Sequence, residues 1–479
     1  MRIELHMEVS NPYPPKQVTI SKKNANLSCA KRKKILKVRK EDTQVKITEL
    51  KSAIRNGYYD KAFRELYGET CDLEKVYDRY EKCAQGFEET YKNSADFDDV
   101  RLFSVAGRSE ISGNHTDHNH GCVLAASISL DIISVAAKTN DGKVTIKSEG
   151  FPIDEVDVAD ADKVRDGEKY KASAIIRGMC DGFVKNGLKV GSYCAYTTSN
   201  VLKGSGLSSS AAFEDMTGNM LNWFYNDGKV DNVEIAKIAQ YAENVHFGKP
   251  CGLMDQIACA AGGFVAIDFK DTKNPVVTRL PFDLDAHGLS LCIVNTGGNH
   301  ADLNEDYASI PADMKAVAKM FGKEVLRDVS KEELLARAAE IREKLGDKCL
   351  LRAMHFLNEN TRVGLQKEAL QKGDLAGFLD GVRKSGISSA TMLQNVYTVK
   401  NVNEQGLSVA LALSAEVLDG VDNAAYRVHG GGFAGTIQAF VPKNLVEKYR
   451  QTLEGVFGKG NVYVLNVRKY GAVSLDAIN

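Results

Sequence analysis

No stretch of this chain approaches the roughly 18 consecutive apolar residues of a membrane-spanning helix, so a membrane partner is not expected. Nor do the first residues hold the apolar core of a secretory signal, because Glu4 and His6 interrupt Ile3, Leu5 and Met7. Net charge is almost absent. The 62 Lys and Arg stand against 63 Asp and Glu, for a formal net charge of −1, which argues against a whole-protein role on nucleic acid or an anionic surface. Among ten cysteines there is no Cys-x-x-Cys pair, so a zinc or redox framework is not expected. Several cysteines lie in apolar runs, such as GCVLAAS and LCIVN, and read as small core residues. Internal repeats and low-complexity linkers are also missing. What remains is a globular chain of 479 residues, 43% hydrophobic. That is enough for two domains, and the cysteine usage fits a cytoplasmic, reducing setting.

The N-terminus departs from this balance. Residues 1–40 carry eleven Lys and Arg against two acids, densest in AKRKKILKVRK. A basic arm for nucleic acid is one reading. The stretch has no clear period and few large apolar residues, which favours a disordered or mis-assigned extension over residues 1–44. Lys40-Glu41-Asp42 can be back-translated as AAG-GAG-GAT, a bacterial ribosome-binding sequence just ahead of Val45, whose codon GTG can start translation. Residues 1–44 are therefore expected to be dispensable.

From Val45 the pattern alternates between helical and extended periods. KITELKSAIRNG, DKAFRELYG and EKVYDRYEKCAQGFEETYKN predict amphipathic helices. DVRLFSVAGR predicts a buried strand, and the apolar run after Cys122 predicts a helix or strand entering a hairpin at Asn140-Asp141-Gly142. Further helices are expected at KASAIIRGMCDGFVKNG, SSSAAFEDMTGNMLNWFYND, NVEIAKIAQYAENVHFG, KEELLARAAEIREKLG and QGLSVALALSAEVL. Strands are expected at SYCAYTTS, GGFVAIDF, LSLCIVNTGG and GTIQAFVP. The order is α+β rather than a βαβ repeat.

Four segments carry chemistry. In VLKGSGLSSSAAFEDM, glycines lead into serines at the start of a long helix, whose free N–H groups make an anion site; an ordinary serine-capped helix shares these features. In AENVHFGKPCGLMDQIACAAGG, Glu243 and Asp255 stand among apolar neighbours. One carboxylate suits a metal and the other a proton, although an exposed capping Asp is the plain alternative. In GRSEISGNHTDHNHG, Arg108 suits developing negative charge, while His115 and Asp117 suit hydroxyl groups. A metal on His115, His118 and His120 is disfavoured by their spacing in a Gly/Asn-rich loop. In AYRVHGGGFAGTIQAFVP, glycines at 430, 431, 432 and 435 suit a loop facing phosphate, with a tight turn as the alternative.

Together, and in this order, the four segments resemble the galactokinase branch of the GHMP kinase superfamily over nearly the whole chain from Val45 to Asn479. The family's first motif, of the type Gly-Arg-Val-Asn-Leu-Ile-Gly-Glu-His-Thr-Asp-Tyr-Asn-Gly-Gly, is similar to Gly107–Gly121. Gly-Leu-Ser-Ser-Ser-Ala is intact at Gly206–Ala211, Cys-Gly-Ile-Met-Asp-Gln is similar to Cys251–Gln256, and the glycine-rich motif is similar to Gly430–Gly435. The resemblance implies an α+β, two-domain GHMP kinase fold: an N-terminal mixed-sheet domain over 45–288, a ferredoxin-like C-terminal domain over 289–479, and a site between them. It implies ATP-dependent phosphorylation of the anomeric hydroxyl of a hexose, with Mg²⁺. Asp255 is then the base and Arg108 the group that stabilises charge. Ser210 and Glu243 hold Mg²⁺. Gly204, Ser205, Gly206, Leu207, Ser208, Ser209 and Ser210, with Gly431 and Gly432, surround the nucleotide phosphates. Asn114, His115, Thr116, Asp117 and Tyr307 bind the sugar.

The departures from the family pattern cluster in the sugar motif. Asn114 stands where the family has Glu, His118 where it has Tyr, His120-Gly121 where it has Gly-Gly, and ASIP follows Tyr307 where an Arg pair is common. Galactose is the leading substrate. Loss of the carboxylate at 114 makes galacturonate, with its acidic C6, or another sugar phosphorylated at C1, the alternative. A non-catalytic sugar-sensing regulator is disfavoured because Ser210-Ala211 and Asp255 are intact.

Overall fold

The computed structural model describes residues 46–93, 97–201, 206–298 and 303–479. The basic extension and the glycine-loop residues Gly204 and Ser205 lie outside the described residues. Three helices open the described chain: α1 (Ile47–Arg55), α2 (Asp60–Tyr67) and α3 (Leu73–Thr90). Strands β1 (Arg101–Ser112), β2 (Cys122–Lys138), β3 (Lys143–Ser148) and β4 (Ile153–Asp157) follow. Next come α4 (Ala172–Lys185), β5 (Tyr193–Ser199), α5 (Ser209–Tyr225), α6 (Asn232–Tyr241) and α7 (Met254–Ala261). Then β6 (Phe264–Asp268), β7 (Val276–Leu280) and β8 (Leu289–Asn295) lead to α8 (Asn304–Met320). Helices α9 (Lys331–Ala336), α10 (Ala338–Leu345), α11 (Asp347–Lys372), α12 (Leu375–Ser388) and α13 (Gly406–Leu418) follow. The chain ends through β9 (Ala425–Val428), β10 (Thr436–Pro442), α14 (Val446–Phe457), β11 (Val462–Leu465) and β12 (Ala472–Ser474). Among the described residues no helix is long and apolar enough to cross a membrane.

Two sheets organise these elements. The larger runs β12-β1-β2-β5-β3-β4, with β6 paired onto the first half of β2 and β7 paired onto β6. All its pairings are antiparallel except β3 with β5. Alternation along the strands separates two layers. Leu102, Ile133, Val135 and Ala137 face α1, α2 and α3, whereas Phe103, Val105, Ile132 and Ala136 face α4 to α7. The smaller sheet runs β11-β8-β10-β9, all antiparallel. With helices ahead of β9 and between β10 and β11, this is the ferredoxin-like order. Cys292 and Val294 pack on α13 and α14, and Leu291 and Ile293 lie in the core shared with α12.

Three local expectations change. The turn at Asn140-Asp141-Gly142 does not close a hairpin: β5 lies between β2 and β3 and pairs with each of them. The helix expected over KEELLARAAEIREKLG is two, α9 and α10, meeting where the Arg337 side chain binds Glu340 and the Met320 carbonyl. The helix expected over NVEIAKIAQYAENVHFG ends at Tyr241 and continues as a wider π-type turn, Ala242–Phe247, which holds Glu243.

A buried ionic hub ties the outer helices to the first sheet and to the chain's end. Asp131 is fully buried and accepts from Arg79 Nη1 at 2.6 Å, Arg468 Nη1 at 3.0 Å and Tyr67 Oη at 2.6 Å. The two sheets meet at the far end of β1. There Gln438 on β10 donates to the Glu110 carbonyl at 2.7 Å, and Arg427 on β9 donates to the Ile111 carbonyl at 3.1 Å.

Candidate active site

Strand β1 slips register between Ala106 and Arg108 and again between Glu110 and Ser112. Such bulges re-aim side chains. The first lets the Arg108 N–H leave β2 and donate to the Leu207 carbonyl at 3.1 Å. The Arg108 side chain then reaches α7. Its Nε donates to Asp255 Oδ1 and its Nη2 to Asp255 Oδ2, each at 2.8 Å, while Nη1 binds the Gly206 carbonyl. A planar guanidinium suits this two-point pairing. Burial opposes the charge on Arg108, but the Asp255 and Glu110 carboxylates outweigh it and raise its pKa.

Ser208 stands just before α5 in a left-handed conformation, with φ 59°. Its hydroxyl does not cap the helix; it donates to Asp255 Oδ2. The cost of that backbone conformation is about 1–2 kcal/mol. Arg108, Asp255 and the start of α5 are thus one bonded unit.

Beside that unit lies a cavity of about 180 Å³, whose lining includes Ser210, Glu243, Asp255, Gln256, Asp117 and His118. Ser210 is exposed to it. Gln256 Nε2 donates to Glu243 Oε2 and to Glu214 Oε2, each at 3.0 Å. Lys249 Nζ lies 3.5 Å from Glu243 Oε1. Burial, and then the neighbouring Glu243, push Glu214 up to about 8. Glu214 Oε1 and Gln256 Oε1 are buried without a partner among the described residues. A serine hydroxyl and a carboxylate are hard oxygen donors of the kind Mg²⁺ takes alongside substrate phosphates, and Ser210 and Glu243 both line this cavity, so the donor set fits that cation.

The sugar-motif candidates divide. Asp117 lines the cavity, against Gly252, where a Cβ would lie 2.9 Å from Asp117 Oδ2. Thr116 is buried inside its own turn and donates to the Gly113 carbonyl at 2.9 Å and the Cys122 carbonyl at 2.8 Å. Asn114, His115 and Tyr307 reach the glycine-rich loop instead. Asn114 Nδ2 donates to the Gly430 carbonyl at 2.6 Å, His115 Nε2 bonds the Gly431 carbonyl at 2.8 Å, and Tyr307 donates to the Gly432 carbonyl at 3.0 Å. A Cβ at Gly431 would sit 2.6 Å from Tyr307 Cε1, so a larger residue there would have to displace the Tyr307 ring. Burial lowers His115 to about 4, which keeps the ring neutral.

Two family models match this chain: GHMP kinases N terminal domain over residues 173–263, and Galactokinase galactose-binding signature over residues 85–138. A galactokinase of Actinobacillus pleuropneumoniae serotype 3 (strain JL03) is 31% identical over 382 residues, which span 78% of this chain and 93% of that one. The chain belongs to the galactokinase family. A crystal structure of Lactococcus lactis galactokinase complexed with galactose superposes with a TM-score of 0.66 at 26% identity, covering 81% of this chain and 98% of that one. The Methanococcus jannaschii mevalonate kinase, at 12% identity and a TM-score of 0.53 over 77% of this chain and 98% of that one, shares the fold.

Within this GHMP kinase fold the galactose-binding signature spans β1, the turn after it and all of β2, and the kinase N-terminal model spans α4 to α7. Several residues of the site were not singled out by motif reading. On α11, His355 Nε2 bonds the Asn114 carbonyl at 3.0 Å and buried Glu359 accepts from the Gly113 N–H at 3.0 Å. From the same helix, Asn360 accepts from the Cys122 N–H at 2.7 Å. These three brace the turn between β1 and β2. Glu110, Glu214, Gln256, Asn395 and Arg427 also stand around it or the cavity. The signal for α11 was the i, i+4 spacing of His355 and Glu359, which places them on one face.

Proposed function

We propose that this kinase of the galactokinase family transfers the γ-phosphoryl group of ATP to the anomeric hydroxyl of galactose. One observation carries the reading. The Arg108–Asp255 pair stands beside the cavity on which Ser210, Glu243 and Asp117 converge. In the proposed reaction Asp255 takes the hydroxyl proton as the sugar oxygen bonds the γ-phosphorus, and the bond from that phosphorus to the β-γ bridging oxygen breaks to release ADP. Phosphoryl transfer needs positioning and charge neutralisation more than covalent chemistry. Arg108 supplies positive charge at the attacking oxygen and holds Asp255 at both oxygens, with Ser208 as a third restraint. The N-terminus of α5, with Gly206 to Ser210, and the backbone of Gly431 and Gly432 receive the phosphates. Gly204 and Ser205 are proposed for the same role by the resemblance alone.

Ser210 and Glu243 would hold Mg²⁺, which when bound neutralises charge on the β- and γ-phosphates. Gln256 orients Glu243 for this task through its amide, as supporting groups orient metal ligands. Asp117 is proposed to accept a hydrogen bond from a sugar hydroxyl. Galactose is preferred over galacturonate on structural grounds as well. The carboxylate absent from position 114 stands at Glu110, 3.2 Å from the Asn114 amide, so an acid remains in the motif. The Asp255 and Ser210 arrangement supports a working kinase over a non-catalytic regulator.

We also propose the division into 45–288 and 289–479, noting that β12 returns from the second part to pair with β1. A cytoplasmic setting suits cysteines that stand free among the described residues. The test is incubation with ATP and Mg²⁺ and a panel of galactose, galacturonate and glucose, followed by ³¹P NMR. Galactose 1-phosphate is the expected product. Its absence, or faster turnover of galacturonate, overturns the reading.

A further inference from the structure

We propose that Asn114 is a positioning residue for phosphoryl transfer, whose side-chain N–H clamps the Gly430 carbonyl, and that Glu110 is the acceptor that fixes the direction of that amide. The proposal rests on the kinase reading above and deepens it.

The Asn114 side chain is 1% exposed, and its contacts leave one orientation. Nδ2 faces two acceptors, Gly430 O at 2.6 Å and Glu110 Oε2 at 3.2 Å. Oδ1 faces two donors, Asn395 Nδ2 at 2.9 Å and Ser389 Oγ at 3.5 Å. Turning the amide over would set oxygen against two acceptors and NH₂ against NH₂. The amide is therefore spent on the protein and is not free for a ligand.

The bond to Gly430 is one of a series. Gly431 O is bonded by His115 Nε2 at 2.8 Å and by Asn395 Nδ2 at 3.1 Å, and Gly432 O by Tyr307 at 3.0 Å. Three successive carbonyls are committed to side chains of the surrounding shell. The N–H edge of the loop is what remains to face an anion. Gly430 and Gly432 both take left-handed φ, at +63° and +76°, so this loop has freedom that outside bonds must remove.

The pair also has a direction. The family motif places an amide at the position of 110 and an acid at that of 114, and this chain exchanges them. A carboxylate at 114 could still be bonded by an amide at 110, but it has no N–H to give Gly430. The exchange therefore adds a clamp on the glycine loop while keeping one acid and one amide in contact.

Two variants separate the clamp from the pair. N114D sets an oxygen against both Glu110 and Gly430 O and is expected to lower melting temperature and activity together. E110Q/N114D restores a donor–acceptor contact between 110 and 114 yet leaves Gly430 O without its N–H. At pH 8 the double variant is expected to regain most of the melting temperature. Its kcat/KM for galactose should remain about 10- to 100-fold below wild type, the loss expected for an unmet buried acceptor. Its calorimetric affinity for ADP with Mg²⁺ should be weakened as well. Wild-type behaviour of N114D overturns the proposal. So does recovery of kcat/KM and ADP affinity along with melting temperature in the double variant, or failure of the double variant to regain melting temperature. Calorimetry with ADP involves no sugar, and wild-type turnover of galactose is measured first, so failure of the galactose reading and failure of the clamp give different results.

Discussion

Replacing Arg108 by Lys keeps the charge and removes the geometry. Arg108 spends Nε and Nη2 on the two oxygens of Asp255, each at 2.8 Å, and Nη1 on the Gly206 carbonyl. A lysine ammonium is a single point on a flexible stem and cannot span both carboxylate oxygens while holding Gly206. At least one charge-assisted bond is lost, worth about 1.5–3 kcal/mol. At about 1.4 kcal/mol per decade that is roughly 10- to 150-fold in kcat/KM. The loss should fall mainly in kcat, because Asp255 is then free to rotate away from the attacking hydroxyl. The assay is steady-state ADP release with galactose and ATP, accompanied by circular dichroism and thermal melting to show that the fold is kept. R108K within twofold of wild type, with the fold intact, would refute the claim that this two-point pairing aligns the base.

Glu243→Gln keeps the shape of a proposed Mg²⁺ ligand and removes its charge. The Mg²⁺ concentration for half-maximal rate should rise about tenfold or more while galactose KM changes little, and an unchanged Mg²⁺ profile would contradict the ligand assignment. Asp131→Asn strands Arg79 and Arg468 around a fully buried neutral side chain and should cost about 3–5 kcal/mol of stability in urea unfolding. Burial works against the Asp131 charge, but Arg79 and Arg468 outweigh it and hold its pKa below the ordinary value. Its share of wild-type stability is therefore complete above the unfolded value of about 4 and is lost as pH falls through the lower folded value. The gap between D131N and wild type should narrow on acidification and stay constant between pH 6 and 8.

Much of the fold could be read from periodicity, because β1 and β2 alternate between two buried layers and the outer helices carry apolar stripes closed by glycine. Arg108, Asp255 and the serines at the start of α5, which we propose for catalysis and phosphate binding, stand out in the sequence because they lie in short contiguous motifs. The insertion of β5 could not, since a turn at Asn140-Asp141-Gly142 says only that the chain reverses and not which strand comes to lie beside it. Helix α11 is not legible because its inward face carries Arg352, His355 and Glu359 where an apolar stripe is expected, each matched by a partner on another element. Asn114 illustrates the same limit. Its residue type suggests a ligand contact, but its partners Gly430 and Asn395 lie some 300 residues away in the chain and come within bonding distance only once the smaller sheet packs on β1.

Above all, we propose that Asp255, held by Arg108, takes the proton in phosphoryl transfer to galactose. Single-turnover formation of galactose 1-phosphate by wild type and Asp255→Asn tests it most directly, with binding of ADP and Mg²⁺ measured on the same samples. The substitution should slow the chemical step by on the order of 100-fold or more and leave nucleotide affinity close to wild type. Near-normal product formation by the variant would contradict the assignment.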